Sequence, residues 1–189
     1  MTSQTASPAL VVGGTGMLSG LVHELTARGH STTVVARDAT RLQQVAAAAP
    51  GPGAVTPVQA HYALRESLRT GLDSAVQQWG PYGVAVLWVR TAHRESVQEE
   101  VSPRLADRAL VVDVLGSGTR DPRELQPRRP EPFDRPEVTY RRAVLGFTDG
   151  PAGTRWLTDG EICQGVLDTL DSPEEMRVVG RVNPWHEHP

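Results

Sequence analysis

The segment Val11-Val12-Gly13-Gly14-Thr15-Gly16-Met17-Leu18 decides how the rest of the chain is read. An apolar, β-rich run at residues 9–13 leads into it. Residues 16–28 leave it with Leu18, Leu21, Val22 and Leu25 at helical spacing, and Gly29 closes that helix. Glycines between a strand and a helix let the backbone turn sharply, keep side chains away from a pyrophosphate and aim helix N-terminal amides at it. Gly13 and Gly16 hold the first two positions of a GxxGxxG spacing, while Ser19 takes the third with Gly20 beside it. A plain glycine-rich turn is the alternative; the strand before and the helix after favour a dinucleotide.

Working outward, apolar runs alternate with amphipathic segments. Strands are expected at residues 31–36, 54–59, 82–89 and 109–115, the third of these almost wholly apolar and therefore central. Between them lie a helix capped by Asp38 and ended at Pro50-Gly51-Pro52-Gly53, and a helix with Leu64, Leu68, Leu72, Ala75, Val76 and Trp79 inward. A polar helix over residues 94–106 follows. Five βα steps predict an α/β fold, doubly wound around a mostly parallel sheet of about six or seven strands, in three αβα layers. Residues 120–136, with five Pro and five Arg, read as a loop, either a lid or disordered. A sixth strand is expected at 137–147, then a helix opened by the capping box Thr158-Asp159-Gly160-Glu161, and a short strand at 177–182.

The 189 residues suit one domain over 1–189. A net charge of −3 and 5% aromatic content give neither the cationic surplus nor the stacking surface that nucleic acid demands. All 19 basic residues are Arg, which excludes Schiff-base chemistry, a lysine base and the lysine of a P-loop. The one cysteine, Cys163, fits a reducing compartment. The uncharged side chains of residues 1–8 and the short apolar run after them match neither a signal peptide nor a membrane span, so a cytoplasmic protein is expected. His186 and His188 lack a third ligand, so no metal is expected.

About twenty residues beyond the glycines, NAD enzymes place an acid on the adenosine ribose diol. Here Arg37 stands at that point, with Asp38 next and Arg41 one turn into the helix. Arginine suits a 2′-phosphate, so NADP (NADPH) is preferred over NAD, with Gly13, Gly14, Thr15, Gly16, Met17, Leu18, Arg37, Asp38 and Arg41 as the binding set. The alternative makes Arg37 a solvated charge and Asp38 only a cap.

The stretches Gly13-Gly14-Thr15-Gly16-Met17-Leu18 and Val34-Val35-Ala36-Arg37 resemble the atypical short-chain dehydrogenase/reductase superfamily. That resemblance implies an NAD(P)-binding Rossmann fold, a Ser after strand five and a Tyr-x-x-x-Lys pair. Ser117 matches the Ser. The pair is absent, because Tyr140 is followed at the fourth position by Val144, and an Asp often found after strand three is absent from Gln59-Ala60-His61.

Reacting groups on such a fold lie beyond the carboxyl ends of central strands, here Arg90, Thr91 and His93 after strand four and residues 116–119 after strand five. On a strand, Tyr140 and Arg142 share a face, and a fixed cation would favour tyrosinate; an ordinary half-buried tyrosine is the alternative. His93 is a possible acid or base, or a surface histidine at a helix start. The catalytic candidates are thus Ser117, Tyr140 and His93. The expected function is an NADP(H)-binding oxidoreductase acting on a small carbonyl or alcohol compound. The alternatives are a module that senses NADP(H) without turnover, or a redox-neutral isomerase or cyclase. A small-molecule substrate is the expected partner; a homo-oligomer is compatible with the sequence but not indicated by it.

Overall fold

The computed structural model describes residues 6–51, 53–116, 129–151 and 153–189. Nine strands and five α-helices occur among them: β1 (Ala9–Val12), α1 (Ser19–Ala27), β2 (Thr32–Ala36), α2 (Ala39–Ala48), β3 (Val55–Gln59), α3 (Arg65–Trp79), β4 (Tyr82–Leu87), α4 (Thr91–Val101), β5 (Leu105–Gly116), β6 (Thr139–Leu145), β7 (Phe147–Gly150), β8 (Gly153–Trp156), α5 (Asp159–Asp171) and β9 (Met176–Val179). Seven strands form one sheet in the order β3-β2-β1-β4-β5-β6-β9, every neighbouring pair parallel. This is the doubly wound architecture expected from the alternation of strands and helices.

The period of two along each strand builds the layers. Val11 and Val34 face one side with Leu21, Val22 and Leu25 of α1, Leu42 of α2 and Ile162 and Val166 of α5. Leu10, Val12 and Val35 face the other, with Leu68 and Leu72 of α3 and Val97 and Val101 of α4. Strands buried on both faces cannot alternate apolar with polar residues, which is why β1 and β4 read as continuous apolar runs. Each fully buried Leu or Val contributes about 1.5–3 kcal/mol relative to exposure.

Several local expectations differ from what forms. The polar helix begins at Thr91 rather than residue 94 and ends in a 3-10 turn over Ser102–Arg104, so β5 starts at Leu105, four residues early. Its first part pairs irregularly with β4, through a register shift between Tyr82 and Val84, and Arg108 takes a positive φ of 62°. The sixth strand divides at Gly146, because beyond Leu145 the backbone leaves β9 and exchanges hydrogen bonds between Phe147 and Arg181. The hairpin of β7 and β8 had no counterpart in the sequence reading. The capping box is present, with Thr158 Oγ1 accepting from Glu161 N and Glu161 Oε2 accepting from Thr158 N at 2.8 Å.

Of the 120–136 loop, residues 120–128 lie outside the described residues. Its remaining part is pinned to the amino-terminal side of the sheet, where a 3-10 turn at Glu131–Phe133 buries Phe133 completely. Arg129 Nε donates to Phe133 O at 2.7 Å, and Arg135 Nη2 to Ser102 O at 3.1 Å. No helix of the described residues is long and apolar enough to cross a membrane.

Candidate functional site

The strand order reverses between β1 and β4: the chain steps outward through β2 and β3, then returns to pair β4 with β1. The crevice at the carboxyl ends of those two strands is where open α/β sheets bind ligands. Gly13 leaves β1 there with φ 83°, a conformation open to glycine and costly for other residues. Its N–H donates to Val35 O at 2.9 Å, and across the crevice Trp88 N donates to Val12 O at 3.0 Å.

A cleft of about 750 Å³ opens from this point, lined by Gly13, Thr15, Val35, Ala36, Arg37, Asp38, Arg41, Tyr62, Trp88, Val89, Arg90, Thr91, Arg94 and Gly116. Four of these side chains are guanidinium groups and one is a carboxylate. Asp38 serves mainly as the cap of α2, accepting from Arg41 N at 3.0 Å. Arg41 Nε lies 3.7 Å from Asp38 on a solvated surface, while Arg37 and Arg90 make no ion pair among the described residues. Among the described residues the cleft lining therefore carries a cationic excess, with Arg94 shared with Asp113.

Within the glycine segment the roles divide. Gly13 and Thr15 line the cleft, and a side chain on Gly16 would meet nothing within 4 Å. Gly14 faces the core, where an added Cβ would come within 2.9 Å of Val34 and 3.0 Å of Val11 and Val22. Leu18 is wholly buried among core residues, and Met17 packs against them, its carbonyl accepting from Cys163 Sγ at 2.9 Å. α1 has no side-chain cap and no acidic residue in its first turn, leaving the helix start receptive to an anion.

These features fit the phosphorylated adenosine portion of a dinucleotide: open space at Gly16, an uncapped helix start and four guanidinium groups. Tyr62 adds an aromatic ring on the cleft wall, with His93 behind it at 5.6 Å between ring centroids. His93 is accordingly one ring removed from the cleft, within α4. Among the described residues no cluster of three or more His, Cys, Asp or Glu is placed to hold a metal ion.

A second, smaller cavity of about 260 Å³ adjoins Trp88, lined by Trp88, Gly116, Leu145, Gly146, Trp156, Leu157 and Ile162. Among the described residues its lining contains no charged side chain. Trp88 and Gly116 belong to both cavities.

Tyr140 is not brought to either. It sits on β6 opposite Val111, five residues before the strand's carboxyl end, stacked on Phe133 at 5.8 Å. Its hydroxyl donates to Asp113 Oδ2 at 3.1 Å, and Gln98 Nε2 donates to the same oxygen at 2.8 Å. Burial pushes the Asp113 carboxyl up to about 6, opposed by the Arg94 charge 3.7 Å away, by both hydrogen bonds and by Arg142. Burial and the neighbouring Asp113 hold the Tyr140 hydroxyl far above its ordinary value, outweighing Arg142. The Arg142 charge does favour tyrosinate, as expected from the sequence, but burial and the adjacent Asp113 outweigh it. Ser117 lies outside the described residues.

Sequence reasoning missed Tyr62, Trp88 and Arg94. The sequence places Trp88 within the apolar run of the fourth strand, but the strand ends at Leu87, and the side chain, still packed against the core at its edge, lines the crevice. Arg94 was the first residue of an expected surface helix; with α4 starting at Thr91, it falls one turn in and reaches down to Asp113.

No family model matches the sequence, and no curated relative does. Solved structures do. A short-chain dehydrogenase/reductase from Serratia marcescens superposes with a TM-score of 0.67 at 16% identity, covering 93% of this chain and 98% of that one. A short-chain dehydrogenase from Burkholderia cenocepacia in complex with NADP gives 0.69 at 15% identity, covering 92% and 96%. A metagenomic short-chain oxidoreductase, also in complex with NADP, gives 0.66 at 14% over the same shares. The fold is that of the short-chain dehydrogenase/reductases. On this version of the fold, the connection from β5 to β6 contains, among the described residues, only the 3-10 turn at Glu131–Phe133, and the sequence has no lysine to complete a Tyr-x-x-x-Lys pair.

Proposed function

We propose that the chain binds NADP(H) in preference to NAD(H) and works as an oxidoreductase on a small carbonyl or alcohol compound. The observation that carries this reading is the concentration of Arg37, Arg41, Arg90 and Arg94 around a cleft at the β1/β4 switch point. The guanidinium groups supply fixed charge and forked donors for phosphate, and the Gly13 turn with the open Gly16 leaves backbone amides accessible to a pyrophosphate. Arg37 and Arg41, at the end of β2 and the start of α2, take the 2′-phosphate, and Tyr62 offers a face for adenine. When bound, the nicotinamide supplies or accepts the hydride.

The chain's own part in the chemistry is to orient the substrate and exclude water. The smaller cavity beside Trp88, whose described lining carries no charge, is the place for an apolar substrate body, and Ser117, one residue past Gly116, is the hydroxyl positioned in sequence to meet its oxygen. Tyr140 is assigned no proton transfer, since Asp113 holds its hydroxyl away from both cavities.

That same hydrogen bond favours a second reading, an NADP(H)-sensing module without turnover. The test is calorimetric titration of the purified chain with NADPH and NADH, followed by NADPH oxidation against a panel of small carbonyl compounds. Tight NADPH and weak NADH binding with turnover supports the first reading. The same preference without turnover supports the second, and no binding of either nucleotide removes both.

A further inference from the structure

Trp88 occupies an unusual position for so large a side chain. The five-membered edge of its indole lies against Gly13, where an added Cβ would stand 3.0 Å from Cδ1; the six-membered edge lies against Gly116, where an added Cβ would stand 2.6 Å from Cη2. The ring thus spans from the turn after β1 to the end of β5, across the crevice where those strands and β4 present their carboxyl ends. Any side chain at position 13 or 116 would displace it. Trp88 and Gly116 line both the arginine cleft of about 750 Å³ and the smaller cavity of about 260 Å³, whose lining among the described residues carries no charge. A ligand held in both must pass the indole that the two share.

We propose that Trp88 is a specificity residue that lets the arginine cleft accept a phosphorylated adenosine moiety as the chain stands, while admitting the nicotinamide half of a dinucleotide only when the indole turns out of the crevice. This deepens the NADP(H) reading and rests on it. The physical basis is the cost of a minor state: if the open arrangement is populated at about a tenth, the apparent affinity of a ligand requiring it falls about tenfold, while a ligand indifferent to the indole is unaffected. The Gly13 and Gly116 contacts favour the closed arrangement.

Adenosine 2′,5′-bisphosphate and NADPH are therefore titrated calorimetrically into the wild-type chain and the Trp88→Ala variant. The expected result is a bisphosphate Kd unchanged within about twofold and an NADPH Kd tightened about tenfold or more in the variant. An NADPH Kd that is unchanged or weaker, with the bisphosphate unchanged, overturns the proposal and makes the indole neutral or a stacking surface. A change in both ligands alike also overturns it. If neither ligand binds either protein, the NADP(H) reading fails together with the proposal, whereas binding of both without the differential effect leaves that reading standing. Should Trp88→Ala not fold, Trp88→Phe shortens the barrier by one ring and is expected to shift NADPH in the same direction by a smaller factor.

Discussion

The Tyr140 hydroxyl donates to Asp113 Oδ2 at 3.1 Å, joining a tyrosine near the start of β6 to a carboxylate near the end of β5 that is 1% exposed. Above this pair, Arg94 connects Asp113 to the ligand cleft; below it, Phe133 covers the Tyr140 ring. The contact assigns Tyr140 to holding the two strands and the buried charge in place. Tyr140→Phe is accordingly expected to lower stability by about 1.5–3 kcal/mol, since it removes a hydrogen bond to a buried charged group. NADPH affinity is expected to stay within about twofold, because the site's phosphate contacts do not involve the ring. Urea unfolding and nucleotide titration measure the two effects; a large loss of affinity at intact stability would return Tyr140 to the site.

The sign of the Asp113 effect follows from its raised carboxyl. Its ordinary value is 3.8 and its folded value about 6, so between these the unfolded chain has released the proton and the native chain still holds it. Stability from this group is therefore fully present below about pH 4 and is lost as pH rises through about 6, a change on the order of 3 kcal/mol. Asp113→Asn is expected to flatten that part of the stability profile. Arg94→Ala takes away the cation that holds the carboxyl down, so its penalty should be larger at pH 8 than at pH 5. Unfolding curves across pH 4–8 for the three proteins decide this.

Arg37→Ala is expected to weaken NADPH binding about tenfold or more, with NADH nearly unaffected, in keeping with loss of a charge-assisted phosphate contact of about 1.5–3 kcal/mol. Raising ionic strength should narrow the NADPH-to-NADH preference in the wild type and do so less in the variant, where Arg41 alone remains. Equal effects on both nucleotides would move the 2′-phosphate away from Arg37.

Gly13→Ala and Gly16→Ala separate folding from binding within one turn. At Gly13 the φ of 83° and the Trp88 carbonyl, 2.7 Å from an added Cβ, both resist a side chain, and a loss of about 1–3 kcal/mol is expected. At Gly16 the added methyl meets open space, so stability should hold while nucleotide binding weakens. Thermal melts with and without NADPH distinguish them.

The layers of the sheet and the central place of β4 were legible because they rest on the pattern of apolar residues, whereas the strand order came only from the pairing. Alternation assigns Val11 to one core and Leu10 and Val12 to the other, and Asp38, Gly29 and the Thr158–Glu161 box mark helix ends through local chemistry. Arg37 and Arg41 were legible because their distance from the glycines is fixed by one βα unit. Trp88 was not: an indole following an apolar run has the same pattern whether the strand continues or stops, and only pairing with Val12 fixes where β4 ends. The β7–β8 hairpin was hidden for the same reason, since its break at Gly146 is made by hydrogen bonds to Arg181, far along the chain.

The sequence by itself determined the α/β alternation, the glycine turn, the arginines after β2 and the lack of any lysine, because each is a matter of residue type at short range. Only the tertiary structure decided what lies opposite what. It drew Arg90 and Arg94 to the same cleft as Arg37, placed the Trp88 indole between Gly13 and Gly116, and turned Tyr140 toward Asp113. Those relationships depend on register and on where strands end, which are set by the packing of both faces of the sheet at once.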